Sequence, residues 1–512
     1  MNLRMRLLVS LVAGILSGVG LALLISGGRF GAKFLSSALL ITICYLALLS
    51  AWSWAGGGRM LAWMTALAFF LRLGCGVALS LTLPVYGSDS ETQKSGYVFY
   101  DAFRRDEQAW HLAESKDPLW ESFQEEFYTD QYGGLLALSA LVYRYSSPDF
   151  HRSQLIVILA AFAAALCIPF FWQGVRKRWG AGMAVLAGWI LALYPESILL
   201  GSSQMREPFL ISLGAIAFWA VLSWLEHKRT SWVVFVASML GLALFSSRIA
   251  VVVFGLLVVW FWLDYVVSSW DQRRQVLGWI TLAAAGLVLL FVSWEWFRSS
   301  AGLDLRMTVI NSGFLDKVIG KWPWSWQVVF IVVYGLLQPM LPAAIAETSL
   351  PLWKTIVILR SLGWYLLAPF LFYSLFTVWK AQSERERRTL IWLAGFTIVW
   401  VLLSSARGGG DVWDNPRYRT ILLPWLALLA SWAALWAYRQ RDLWLVRILI
   451  VEGIFLAFFT HWYLSRYLNL WKKLPFWQTI ALVVVVSALL LGGSWLWQRW
   501  RGAGYKVRLP KQ

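Results

Sequence analysis

Residues 152–173 read RSQLIVILAAFAAALCIPFFWQ, and the run closes on Arg176-Lys177-Arg178. A helix needs about 20 mostly apolar residues to cross a bilayer, and basic residues gather where a span meets the cytoplasm. This one stretch has both the length and the flank of a transmembrane helix. The pattern recurs at 7–26, 34–54, 60–83, 181–199, 208–225, 231–246, 249–267, 275–297, 355–379, 390–405, 420–437, 445–463 and 476–497, which brings the predicted spans to 14. The expected fold class is all-α, a polytopic transmembrane helical bundle.

Composition agrees. The chain has 512 residues, 59% hydrophobic and 14% charged, with a mean hydropathy of +0.62. Soluble globular chains carry about a quarter charged residues, so this one has too few to solvate its surface. Disorder and a disulfide scaffold are excluded as well. Cys44, Cys75 and Cys167 all lie in apolar runs, at no metal-ligand or disulfide spacing. The formal charge of +18 comes from Lys and Arg at the ends of apolar runs, so it points to the bilayer and not to nucleic acid.

The same basic residues set the sides. The first run follows Arg4 and Arg6, has no small-residue cleavage site and leads straight into a second span, which reads as a retained helix. With the N-terminus in the cytoplasm, Arg176–Arg178, Lys228-Arg229, Arg273-Arg274, Lys380 with Arg385, Arg387 and Arg388, and Arg439 with Arg441 all fall inside, as does the basic tail. Arg466, Lys472 and Lys473 fall outside, against the trend. Residues 326–345 are apolar but contain Pro339 and Pro342, and counting them as a span would reverse every later segment. They are therefore expected to form a re-entrant or interfacial helix. The predicted organisation is a two-span extension (1–58), a core (59–300) with an external loop at 85–151, an external loop with the re-entrant helix (301–354), and a C-terminal bundle (355–512). Both termini are cytoplasmic in a multi-pass protein of the cell membrane.

Polar chemistry concentrates on the external side. From 89 to 130 there are 11 of the chain's 27 acids against four bases, a net of −7 that leaves +25 on the rest. Such a charge run is by default a solvated face, yet parts of it carry more pattern than a tether needs. Asp106-Glu107 precede Trp110 and Ala113 at helical spacing, and 132–143 reads as an amphipathic helix at the outer interface. Further acids are Asp101 and Asp130; Asp89 with Glu91 offers oxygen ligands for a divalent ion, and His111 with Glu114 a nitrogen and an oxygen ligand. Other outward tips hold Glu196, Arg206-Glu207-Pro208 and Arg248. Late in the chain comes Arg407-Gly408-Gly409-Gly410-Asp411-Val412-Trp413-Asp414-Asn415-Pro416-Arg417-Tyr418-Arg419. Arginines at such a depth can hold a phosphate bidentately or snorkel to lipid headgroups.

At these residues the chain resembles the GT-C glycosyltransferases, in particular the protein mannosyltransferase and aminoarabinose transferase branch. Asp106-Glu107 with Trp110 and Ala113 is similar to the family's acidic pair on an interfacial helix. Asn415-Pro416-Arg417-Tyr418-Arg419 before an apolar run with Pro424 is similar to its arginine-tyrosine start of a late span, and Arg206-Glu207-Pro208 to the acidic start of another. The family's first span would follow two extra ones here, and Asp106 stands some twenty residues beyond that span instead of a few. The resemblance implies a GT-C-like fold and an enzyme that moves a sugar from a polyprenyl-phosphate donor to an acceptor at the outer face, inverting the anomeric centre. It implies Asp106 as base with Glu107 orienting it and Asp101 as the alternate, and Arg417, Arg419 and Arg206 as phosphate ligands. Glu207, Tyr418, Trp110, Asp130 and Arg248 complete the expected surroundings, with no required metal. A transporter or flippase for lipid-linked glycans and an inactive GT-C-like scaffold are the alternative readings.

Overall fold

The computed structural model describes residues 2–24, 28–115, 117–124, 133–226, 231–269, 271–287 apart from 282 and 285, and 322–504. Every long element among them is a helix. In chain order they are α1 (Leu3–Leu24), α2 (Phe30–Trp54), α3 (Arg59–Tyr86), α4 (Glu91–Lys94), α5 (Tyr100–Ser115), α6 (Gly134–Ser146), α7 (Gln154–Trp179), α8 (Ala181–Leu193), α9 (Pro195–Gly201), α10 (Glu207–Leu225) and α11 (Ser231–Phe261). After a stretch outside the described residues follow α12 (Trp324–Leu337), α13 (Leu341–Ala346), α14 (Pro351–Thr377), α15 (Glu384–Gly408), α16 (Asp414–Thr420), α17 (Leu423–Gln440), α18 (Trp444–Tyr467) and α19 (Phe476–Gly504).

Ten helices among the described residues are long and apolar enough to cross a membrane, or up to 12 if two bent pairs each make one span. The protein is therefore a multi-pass integral membrane protein. The sequence expectation of 14 differs at two places. The run 231–246 becomes the shorter helix Ser231–Phe245, because α11 leaves helical geometry at Ser246. The run 275–297 lies largely outside the described residues, as does Asp130.

Small residues let the helices approach closely, which is how helices associate when lipid is as apolar as their side chains. Gly14 and Gly18, spaced as GxxxG, sit on Ala38 and Thr42 of α2; a Cβ on Gly18 would lie 2.6 Å from the Ala38 Cβ. In α7 the buried run Ala160, Ala161 and Ala163–Ala165 serves the same purpose against α3 and α10. One apolar core extends from α2 and α3 through α7, α8 and α10 to α17, and Trp260 and Trp425 are wholly buried in it.

Two helix breaks shape the end of the bundle that carries the loop. Pro195 cannot continue α8, since it has no N–H to donate and its ring crowds the preceding turn, so α9 departs at 53°. The last carbonyls of α8 would be orphaned in an apolar setting. Arg72, fully buried in α3, donates to Leu191 O at 3.2 Å, to Ala192 O at 2.9 Å and to Ser197 Oγ at 2.9 Å. At the second break, α12 stops before the cis Gln338–Pro339 peptide and α13 begins at Leu341, so residues 326–345 form two short helices. Here Arg419 supplies the cation, donating to Leu336 O at 3.3 Å and to Gln338 O, with its guanidinium 3.7 Å from the Trp364 ring centroid.

The opposite end of the bundle is basic. Arg178 at the end of α7 and Arg385 at the start of α15 both hold the buried Asp264, at 2.6 and 2.7 Å, within a π-helical turn that ends α11. Lys177 pairs with Glu226 nearby at 3.0 Å. The Arg176–Arg178 cluster and Arg385 thus share one end, away from the acidic loop.

Candidate active site

The site begins with local rules that present α5 and α16. Asp101 stands in the first turn of α5, where a carboxylate complements the helix dipole. A small apolar cluster of Tyr97, Phe99 and Ala102 with Leu199, Leu200 and Met205 seats α5 on the α9–α10 turn. Gly409, at φ +46°, turns the chain out of α15. Asp411 Oδ1 then accepts from the Trp413 and Asp414 N–H groups at 2.6 and 2.7 Å, which starts α16. Gly408 and Gly335 leave room for Asn415, whose amide donates to Gly335 O and Gly409 O at 2.8 and 3.0 Å.

These elements converge on Arg417. Its Nε donates to Glu207 Oε1 at 2.6 Å, and its Nη1 reaches Asp101 Oδ2 at 3.1 Å and Asp414 Oδ1 at 3.5 Å. Arg417 and Glu207 are buried, whereas the Asp101 side chain is 53% exposed. Arg206 lies 4.0 Å from Glu207 Oε1, and Glu207 Oε2 is buried with no hydrogen-bond partner among the described residues. Tyr418 is half-buried, its ring 5.9 Å from the Arg417 guanidinium and 4.8 Å from that of Arg407. Beside this group Arg360 grips Glu196 with two hydrogen bonds of 2.5 and 3.0 Å, and its guanidinium lies over Trp413. A loop helix, the start of α10 and a late short helix thus meet around one buried guanidinium.

Asp106 belongs to a second network. It is buried, with Oδ2 accepting from Tyr97 Oη at 2.6 Å and lying 2.9 Å from His151 Nε2, and Oδ1 accepting from Tyr143 Oη at 2.5 Å. Trp110 stacks on His151 at 5.2 Å between ring centroids. Burial first, then the negative charge of Asp106, pushes the Tyr97 and Tyr143 phenols well above the usual tyrosine range. They remain donors to Asp106 at neutral pH. Glu107, expected to orient Asp106, is exposed. The segment expected at the outer interface forms α6, which buries Leu135, Leu136, Ala140 and Tyr143 against its neighbours.

Of the expected phosphate ligands, Arg417 and Arg206 flank Glu207, while Arg419 is engaged with the backbone at the 338–340 break. Arg248 is exposed just after the break at Ser246. Asp89 is ion-paired with Lys94, Glu91 opens the one-turn α4, and His111 lies 3.9 Å from Glu114 at the surface. Among the described residues no three His, Cys, Asp or Glu side chains gather as metal ligands would.

Asp414 beside Arg417 was not among the expected site residues, nor were Tyr97, Tyr143 and His151, which contact Asp106 but stand in no short motif with it. Arg72 and Arg360 were readable as lone cations in predicted spans, where a charge is costly and has a reason. Compared with known protein families and with curated proteins, the chain matches neither a family nor an individual sequence.

Proposed function

We propose that the protein is a membrane glycosyltransferase that moves a sugar from a polyprenyl-phosphate donor to an acceptor hydroxyl, at the end of the bundle formed by α5, α10 and α16. The observation that carries this reading is the meeting of Asp101, Glu207 and Arg417 from three remote segments. An exposed carboxylate then lies beside a buried guanidinium, so a base and a charge stabiliser share one place.

The geometry favours Asp101 over Asp106 as the base, because Asp106 is enclosed by two phenols and an imidazole. Arg417 is already paired, so a donor phosphate competes with Asp101 for Nη1. Phosphate binding releases the Asp101 carboxylate, which takes the proton of the acceptor hydroxyl. The acceptor oxygen bonds to the anomeric carbon as the bond from that carbon to the phosphate oxygen breaks. Polyprenyl phosphate leaves with its charge held by Arg417 and Arg206, and one displacement inverts the anomeric centre. Glu207 fixes the Arg417 fork from behind.

An apolar cavity of about 450 Å3 beneath the 336–340 break suits the donor's tail. Trp364, Tyr365, Ala368 and Phe455 line it, and Trp364 Nε1 and Tyr365 Oη donate to Leu336 O and Leu337 O at its rim. On this reading the loop end faces outward, the basic end faces the cytoplasm, and no metal is required. Broken helices and the Glu452 carboxylate facing that cavity also suit a carrier of lipid-linked glycans, which is the second reading.

The test is turnover by the purified protein in nanodiscs with polyprenyl-phosphate sugars. Release of polyprenyl phosphate that Asp101→Asn abolishes supports the assignment. Release unchanged by that substitution rejects Asp101 as the base.

A further inference from the structure

At the basic end, three cations from separate elements line a cavity of about 490 Å3: Lys380 just after α14, Arg441 at the left-handed C-cap of α17, and Arg447 in the first turns of α18. Trp436 and Trp444 form its sides. Among the described residues one acid, Asp442, shares the cavity, and its carboxylate is committed to Tyr373 Oη at 2.7 Å and the Trp444 N–H at 2.9 Å. Arg447 is buried, with Nε donating to Ser494 Oγ at 2.9 Å and its guanidinium 4.6 Å from the Trp444 ring centroid. The formal balance of these groups is +2.

Position narrows the ligand. The cavity sits where helices long enough to cross a membrane end or begin, with two tryptophans at the same level, as at a headgroup interface. From it two apolar stripes continue along the helices that supply the cations. Phe372, Phe376 and Trp379 lie on one side, Leu443, Val446 and Ile450 on the other, all exposed. A soluble phosphate would use the cations alone, whereas a phospholipid uses the cations and both stripes. We infer that this cavity binds the headgroup phosphate of an anionic phospholipid whose acyl chains lie along α14 and α18. Basic pockets between transmembrane helices are suited to such headgroups, and Arg adds bidentate geometry.

Native mass spectrometry of the full chain in detergent tests this, with phosphatidylglycerol, phosphatidylcholine and inorganic phosphate as probes. Wild type should retain phosphatidylglycerol over phosphatidylcholine. The pair Lys380→Gln and Arg441→Asn should weaken phosphatidylglycerol binding by about thirtyfold, from two surface cations, and leave phosphatidylcholine unchanged. Both residues are exposed, and Asn tolerates the left-handed backbone at 441, while Lys380→Arg with Arg441→Lys should keep the lipid. Equal retention of the two lipids overturns the inference. So does a double variant that unfolds at the wild-type temperature and still binds phosphatidylglycerol as wild type does, or inorganic phosphate displacing the lipid at equal concentration.

Discussion

Asp101 and Asp106 are five residues apart on one helix, about 140° around its axis, and that rotation gives them different work. Asp101 looks toward Arg417 and solvent. Asp106 looks inward and ties α5 to Tyr97, α6 and the chain before α7. Asp106→Asn should therefore destabilise by roughly 1–3 kcal/mol, since it removes an acceptor from buried donors. Asp101→Asn should stay within about 0.5 kcal/mol of wild type, as exposed substitutions do, while abolishing sugar transfer. Thermal unfolding in detergent alongside donor turnover checks both. The converse case is Arg417→Ala, which leaves the buried Glu207 without its hydrogen-bonded cation, with Arg206 4.0 Å away, at a cost of roughly 3–5 kcal/mol. Adding Glu207→Gln should recover part of that stability and none of the turnover; a stable single variant would contradict this. The sequence made the acidic helix legible, because Trp110 and Ala113 fall at helical spacing. It could not say which acid faces which way, since the partners of Asp106 at 97, 143 and 151 are distant along the chain and belong to no motif.

At the scale of elements, the breaks within apolar runs are as consequential as the helices. Pro195 ends α8 inside a run that reads as a single span, and only the orphaned carbonyls show why α3 carries an arginine. Arg72→Met should cost roughly 1–3 kcal/mol for each carbonyl left unpaired, read as a lowered unfolding temperature in detergent; an unchanged temperature would contradict the capping role. The Pro339 and Pro342 break was legible from composition, but its partner Arg419 read more naturally as a phosphate ligand. The α5–α6 pair offers a pH test. The Tyr97 and Tyr143 phenols titrate higher in the folded state than their unfolded value of about 10. Their contribution is therefore fully present below pH about 10 and is lost as pH rises through their folded values. Unfolding temperature should hold from pH 7 to about 10 and fall above it. The double variant Tyr97→Phe and Tyr143→Phe should lose that alkaline component.

For the whole molecule, the acidic loop over a basic membrane body resolves into two ends with different chemistry. One joins an exposed carboxylate to a buried arginine above an apolar cavity, and the other gathers Lys177, Arg178, Lys380, Arg385, Arg441 and Arg447. Long apolar runs with basic flanks made this polarity legible, because bilayer thickness and side-chain solvation act on local sequence. The meeting of a loop carboxylate with Arg417 was implied by the family resemblance, with Asp106 first and Asp101 as the alternate; which of the two reaches Arg417 was not legible, since tertiary proximity across hundreds of residues leaves no local pattern. On the proposed function, this meeting point cleaves a sugar from a lipid phosphate instead of carrying the lipid across. Proteoliposomes holding a polyprenyl-phosphate sugar labelled in both sugar and lipid test it directly. The sugar label should separate from the lipid label, and Asp101→Asn should stop the separation. Intact doubly labelled lipid moving between leaflets, with no polyprenyl phosphate formed, would contradict it.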